Sequence, residues 1–140
     1  MNEDLLLLDT HIWLWAQLGL VDNISRAALA AIRRAESAGR LRVSIISLWE
    51  LGMLTQCGRI SLPQDVRTWV RDALTKPGIS LAPLTPEIAL ESSHLPGILH
   101  GDPADRILAA TARNLRATLL TKDQQLLEYS RQHHLRALSA

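Results

Sequence analysis

Short apolar runs that alternate with stretches of helical spacing constrain this chain more than any other feature. Leu5–Leu8 is an unbroken apolar run closed by Asp9, and Leu41–Ile46, Ser80–Leu84 and Ala117–Leu120 are further segments of strand length. A strand apolar on consecutive residues is buried on both faces, as central strands of a parallel sheet are. Between these runs the spacing changes to three and four. Ile24–Ala38 is predicted as a helix, with Ser25 as its cap and Gly39 just beyond it. Helices are also expected over Ser47–Leu54, from Pro63 and Gln64 through Leu74, from Pro86 to the Pro96-Gly97 stop, from Pro103 to about Arg116, and from Asp123 to about His133. Arg136–Leu138 is a candidate edge strand. The order β-α-β-α-α-β-α-α-β-α, with that last strand added, describes an α/β fold around a central parallel sheet of four to five strands.

Composition narrows the setting. The 140 residues are 47% hydrophobic and 21% charged, so residues 1–140 are read as one domain with one substantial core. Cys57 is the single cysteine and has no partner for an internal disulfide, which suits a reducing compartment. Glu3 and Asp4 precede only four leucines, which is neither a signal peptide nor a membrane span, and the expected location is the cytoplasm with no membrane contact. At a net charge of +1 the chain as a whole does not attract nucleic acid, so any such binding must be local or metal-assisted. Thirteen arginines against two lysines fit an RNA ligand or an acidic partner equally well.

The acids fall at telling places. Asp9 follows the first strand, Glu50 lies in the first turn expected after the second, Asp102 and Asp105 bracket a helix start, and Asp123 stands just past the strand Ala117–Leu120. In open parallel sheets, ligands bind beyond the carboxyl ends of the strands, so all five acids are expected in one crevice. Each alone has an ordinary explanation. Asp102 is a good N-cap before Pro103, Asp105 suits the N3 position, Ser47 and Glu50 have the spacing of a capping box, and Asp9 and Asp123 can cap the helices that follow them. Together they crowd like charges at one sheet edge, which raises carboxylate pKa values and destabilises the fold unless a cation offsets it. Hard oxygen ligands suit Mg²⁺ or Mn²⁺, and carboxylate-held metal can activate water against a phosphodiester. None of His11, His94, His100, His133 and His134 has a glycine-flanked serine or cysteine to serve, and His100 lies nearest the expected site.

Four segments carry a family resemblance: Leu6-Leu7-Leu8-Asp9-Thr10-His11-Ile12-Trp13-Leu14-Trp15, Ser44-Ile45-Ile46-Ser47-Leu48-Trp49-Glu50-Leu51, the stretch from His100-Gly101-Asp102-Pro103-Ala104-Asp105 to Ala112, and Leu119-Leu120-Thr121-Lys122-Asp123. In order and spacing the chain resembles the PIN-domain family, and within it the VapC-type toxin ribonucleases of VapBC modules. The resemblance implies a three-layer α/β/α domain with Asp9, Glu50, Asp105 and Asp123 as its acidic quartet and Asp102 as an additional acid. It implies Mg²⁺ or Mn²⁺ held by Asp9, Asp102, Asp105 and Asp123, with Asp105 favoured over Asp102 as direct ligand. Thr10, Ser47 and Thr121 are hydroxyl partners that would orient those carboxylates, or ordinary cap hydroxyls. The implied activity is endonucleolytic cleavage of single-stranded or loop RNA by water attack in line with the 3′ oxygen, leaving a 5′ phosphate. The implied partners are an RNA substrate, a cognate antitoxin and a second copy in a homodimer.

Other features stay open at this stage. Arg33, Arg34, Arg40 and Arg42 form a candidate RNA-phosphate track or a solvated helix face. Trp49 is expected in the core; Trp13 and Trp15, two apart, do not share a helical face, so one of them is either partly buried in the core, the favoured reading, or exposed as an anchor for an antitoxin, a dimer contact or an RNA base. A receiver-like phosphoacceptor domain is the rival reading, suggested by Thr121-Lys122, although it needs paired acids after the first strand where only Asp9 stands. A catalytically silent protein-binding module is the third.

Overall fold

The computed structural model describes residues 4–99 and 101–140. Strand β1 (Leu6–Leu8) leads into α1 (Thr10–Leu18), a 3-10 turn at Val21–Asn23 and α2 (Arg26–Ser37). Then come β2 (Leu41–Ser44), α3 (Ile45–Gln56), α4 (Val66–Leu74), β3 (Ile79–Ala82) and α5 (Pro86–Ser93). The chain closes with α6 (Pro103–Leu115), β4 (Thr118–Thr121), α7 (Gln124–Arg131) and β5 (Ala137–Ser139). All strand pairs are parallel, in the order β3-β2-β1-β4-β5. The candidate strand at Arg136–Leu138 is therefore real, displaced by one residue, and it completes a five-stranded sheet.

Strand alternation divides the interior. Leu6 and Leu8 point into one hydrophobic cluster with α1, α2, α4 and Leu51, while Leu7 points into the other with α6 and α7. Leu119 and Leu120 are split in the same way, which explains why these runs carry no polar face. Leu7, Val43, Leu119 and Leu120 are fully buried, each contributing on the order of 1.5–3 kcal/mol through its burial. The result is a three-layer α/β/α arrangement.

Register brings the strand ends level. Leu8 is paired with Val43 on one side and Leu120 on the other, so Asp9, Ser44 and Thr121 emerge at the same edge. The chain moves outward from β1 to β2 and β3, then returns to the other side of β1 for β4 and β5. The reversal between β1 and β4 is a topological switch point, where ligand crevices form in open α/β sheets.

Four expectations need correction. The sequence order counted one helix between the first two strands, yet α1 is a second; its segment is apolar all round and lacks the polar face by which helical spacing is recognised. The second strand stops at Ser44 instead of Ile46, because Ser44 caps α3 by accepting a bond from Ile46 N at 3.1 Å. Glu50 consequently lies in the second turn of α3, and Ser47 is a buried residue inside the helix in place of its cap. Helix α4 begins at Val66 with Asp65 as cap, since the Asp65 carboxylate takes the Thr68 N–H at 3.1 Å. Trp49 is 58% exposed: two residues from buried Ser47 and Leu51, it projects from the opposite side of α3.

Gly78 is sterically required against backbone. It holds a left-handed φ of 90°, and a Cβ there would lie 2.0 Å from the Glu36 carbonyl oxygen. Close passage of this turn beneath the end of α2 sets the start of β3.

Candidate active site

The cleft lies where the register predicts, at the carboxyl edge beside the switch point. It has a volume of about 310 Å³ and is lined by Asp9, Glu50, Asp102, Asp105 and Asp123 together with His11, Trp15 and Lys122. The five acids come from four separate segments. Asp9, Asp102 and Asp123 are N-caps of α1, α6 and α7. Capping explains why the sequence folds locally as it does, and the common direction of the strands explains why three caps meet.

The hydroxyls fix the carboxylates in place. Asp9 Oδ1 accepts the Thr10 N–H at 2.7 Å, and Asp9 Oδ2 accepts the Thr121 hydroxyl at 2.6 Å. Thr121 Oγ1 in turn accepts the Asp123 N–H at 3.0 Å. Thr10 Oγ1 lies 2.6 Å from Glu50 Oε1 and 2.8 Å from Ser47 Oγ. A threonine has one proton, so once it is donated to Glu50 the Ser47 hydroxyl must be the donor to Thr10. Thr10, Ser47 and Thr121 are all buried. Asp102 Oδ1 accepts from Ala104 N at 2.9 Å and Asp105 N at 3.4 Å, and Asp123 Oδ1 accepts from Gln125 N at 2.8 Å and Leu126 N at 3.0 Å. Each of these caps leaves its second oxygen outside the capping bonds.

Crowding shows in the protonation equilibria. Burial pushes the Asp105 carboxyl up to about 7, and Asp123, Asp102, Asp9 and Glu50 add to the shift, with no side-chain hydrogen bond to Asp105 among the described residues to offset it. Burial also raises Asp9, against the stabilising bonds from Thr121 and Thr10 and the nearby His11, with Asp123 adding a further rise. Glu50 is raised by burial and by Asp9 and Asp102, and is held back by Thr10. Five carboxylates thus act on one another electrostatically within one cleft.

All five expected acids and all three expected hydroxyls come together here. His100 lies outside the described residues. Arg33, Arg34, Arg40 and Arg42 are not in the cleft: the end of α2 and the start of β2 lie at the opposite, amino-terminal edge of the sheet. There the Arg42 guanidinium donates to the Gly39 and Leu41 carbonyls. Two rim residues, His11 and Lys122, had no site role in the sequence reading, and a third, Trp15, was one of the pair left open as a base-stacking residue. Lys122 Nζ sits 5.5 Å from the centre of the Trp15 ring, and the His11 ring lies 5.9 Å from the same indole. The signal for His11 and Lys122 was adjacency, since they stand two residues after Asp9 and immediately before Asp123.

Among the described residues no helix is long and apolar enough to cross a membrane. Comparison with known proteins gives a consistent picture. The PIN domain family model matches residues 6–132. Ribonuclease VapC22 of Mycobacterium tuberculosis is 34% identical over 120 residues, which cover 86% of this chain and 88% of that protein. The fold is similar to that in a DNA-bound VapBC complex from Salmonella typhimurium, with a TM-score of 0.68 and 18% identity over 96% of this chain and 97% of that one. It is also similar to VapBC2 from Rickettsia felis, bound to a promoter DNA fragment, with a TM-score of 0.67 and 16% identity over 96% and 98% of the two chains. On the extent of the family match and the identity to a VapC protein, the chain belongs to the PIN-domain family as a VapC-type member.

Proposed function

We propose that this chain is a divalent-metal-dependent endoribonuclease, the toxin half of a VapBC-type pair, in which residues 1–140 act as one nuclease domain. Its catalytic acids are Asp9, Glu50, Asp105 and Asp123, with Asp102 beside them. The observation that supports this reading is the meeting of five carboxylates from four segments in one open cleft.

The donor set fits Mg²⁺ or Mn²⁺. Asp9, Asp102, Asp105 and Asp123 offer hard oxygens, and their mutual repulsion is the kind a cation relieves. Among the described residues no three acidic, histidine or cysteine groups stand arranged to hold an ion by themselves, and Mg²⁺ characteristically keeps several waters and needs few protein oxygens. When bound, the ion activates water and neutralises charge on the leaving oxygen of a phosphodiester.

The chain's own residues supply orientation and proton transfer. Thr121 and Thr10 hold Asp9 and Glu50 in fixed rotamers from buried positions. Glu50 has Oε1 engaged by Thr10 and Oε2 outside that bond, and its raised pKa makes it a better base for the attacking water. Attack in line with the 3′ oxygen leaves a 5′ phosphate on single-stranded or loop RNA. At the rim, Lys122 supplies a cation for backbone phosphate and Trp15 an aromatic surface for a base.

The reading includes a cognate antitoxin, a homodimer and a cytoplasmic location, where exposed Cys57 stays a free thiol. The antitoxin is assigned to the groove of about 340 Å³ between α3 and α4, lined by Leu48, Gly52, Val66 and Val70 with Arg67 and Arg71 at its margin. The receiver alternative does not match the topology: receivers of the flavodoxin-like type have sheet order 2-1-3-4-5, whereas this order is 3-2-1-4-5.

The test is incubation of purified, antitoxin-free protein with unstructured RNA in Mg²⁺, Mn²⁺ or EDTA, beside the Asp9→Asn variant. Metal-stimulated cleavage that EDTA stops and Asp9→Asn lacks is expected. Undiminished cleavage in chelator, or by that variant, overturns the assignment.

A further inference from the structure

An acidic cleft is a poor holder of the polyanion it is proposed to cut. Its five carboxylates carry five formal negative charges in a chain of net charge +1, which leaves +6 on the remainder. Lys122 and Trp15 at the rim offset little of that charge, so further substrate affinity must come from elsewhere on the surface. At the opposite edge of the sheet, where β4 and β5 begin, lies an open cavity of about 680 Å³. Among the described residues, Arg113, Arg116, His133, His134 and Arg136 line it with Glu91 as the one acid in the lining, and Asp4 is paired with Arg136 beside it.

Most of these side chains already have structural work. Arg113 Nε donates to Glu91 Oε2 at 2.8 Å and Nη1 to the His134 carbonyl at 2.5 Å. Arg136 donates to Asp4 and to the Arg116 carbonyl. The His134 ring lies 5.0 Å from that of Tyr129. Arg116 differs: Arg136 anchors its backbone, while its exposed side chain has no partner among the described residues.

The backbone adds a second observation. Arg116 closes α6 at a φ of 54° and His133 has a φ of 67°; among the described residues they are the two non-glycine positions in the left-handed region. Both line this cavity. Glycine adopts that conformation without cost and is the usual residue past a helix end. Keeping two basic side chains where glycine is easier points to a use for the side chains themselves.

We propose that this basic cavity, centred on Arg116, is a phosphate-binding site that holds a stretch of the RNA substrate away from the carboxylate cleft. The proposal rests on the nuclease reading above. A guanidinium presents a planar fork that matches phosphate oxygens bidentately. A neighbouring cavity of about 150 Å³ shares Thr118 and Leu138 with this one and adds Arg34 and Arg40 beside Asp4, whose carboxylate is paired with Arg136, so Arg34 extends the basic surface along the sheet edge. A row of cations along an edge suits a repeating phosphate chain better than an acidic peptide seated on an apolar core. Arg116 and Asp123 are separated by β4, roughly 20 Å at about 3.3 Å per residue, so only RNA of several nucleotides reaches both sites.

The experiment uses the full chain with fluorescein-labelled single-stranded RNAs of about thirty and about four nucleotides, and the variants Arg116→Gly and Arg116→Lys. Binding is read by anisotropy in EDTA across a salt series, cleavage in Mg²⁺, and stability by thermal melting. Arg116→Gly should bind the long RNA roughly three- to tenfold more weakly, with the slope of log K against log salt shallower by about 0.7. It should cleave the short RNA like the native chain, and melt a few degrees higher because glycine relieves the left-handed backbone. Arg116→Lys should keep most of the salt slope. Native affinity and slope for the long RNA in Arg116→Gly would overturn the proposal. So would an Arg116-dependent affinity for poly-glutamate with RNA binding unaffected, which would make the cavity a protein site. Failure of the native chain to cleave either RNA strikes the nuclease reading instead, and the binding series still reports on the cavity.

Discussion

The Thr121 hydroxyl donates to Asp9 Oδ2 at 2.6 Å across 112 positions of sequence, and Thr121 Oγ1 itself accepts the Asp123 N–H. One buried side chain thereby fixes two acids on either side of the switch point. Thr10 has a matching role between α1 and α3 through Glu50.

Replacing Thr121 by valine keeps the volume and removes both bonds. Cleavage is expected to fall about 10- to 100-fold, with the Mg²⁺ needed for half-maximal rate rising and the KM for RNA little changed. A metal titration of the cleavage rate checks this. A change in KM alone would assign Thr121 to RNA binding instead.

Asp105 makes metal-free stability depend on pH. In the folded chain its carboxyl holds a proton up to about 7, against an ordinary value of 3.8. Between those limits the folded state binds more protons than the unfolded one, so raising the pH lowers stability, and the loss is complete above about 7. The raised Asp9 and Glu50 act in the same direction. Thermal melts in EDTA should fall from pH 5 to pH 8, Mg²⁺ should recover more at pH 8 than at pH 5, and Asp105→Asn should flatten the profile. A melting temperature that climbs with pH contradicts the electrostatics described.

Trp49 is exposed on α3, one residue along the chain from Leu48, which lines the apolar groove with α4. Trp49→Ala should leave unfolding free energy within about 0.5 kcal/mol of native. Affinity for the cognate antitoxin should drop at least roughly tenfold, as a buried aromatic anchor is lost. Titration calorimetry with the antitoxin measures it, and unchanged affinity would move the partner elsewhere.

Gly78→Ala tests the fold itself. Its Cβ meets the Glu36 carbonyl in a left-handed backbone, so a loss on the order of 2–4 kcal/mol in urea unfolding is expected. Gly52→Ala has open space around its Cβ and should not show that loss.

Much of the site could be read from sequence because Asp9 and Asp123 follow strands whose unbroken apolar runs announce parallel pairing, and Asp102-Pro103 is a clear helix start. Less was legible where propensity conflicted with capping. Ile45 and Ile46 look like strand, and a single hydroxyl from Ser44 turned them into the first turn of α3, which moved Glu50 one turn deeper. Trp49 and α1 were misread or missed for a common reason: a helix that is apolar all round does not reveal which side faces the core. The cavity around Arg116 depends on β5 lying beside β4, a contact between segments that no local pattern encodes.

Capping also bears on which ion the cleft would suit under the proposed metal-dependent reading. Asp102 and Asp123 each spend one oxygen on closing a helix, so each is left to offer a single atom to a cation. Calcium seeks six to eight oxygens and often takes both atoms of a carboxylate, whereas magnesium accepts single-atom donors in a small octahedral shell. On the metal-dependent reading proposed above, the bonds that start these helices would therefore also disfavour calcium.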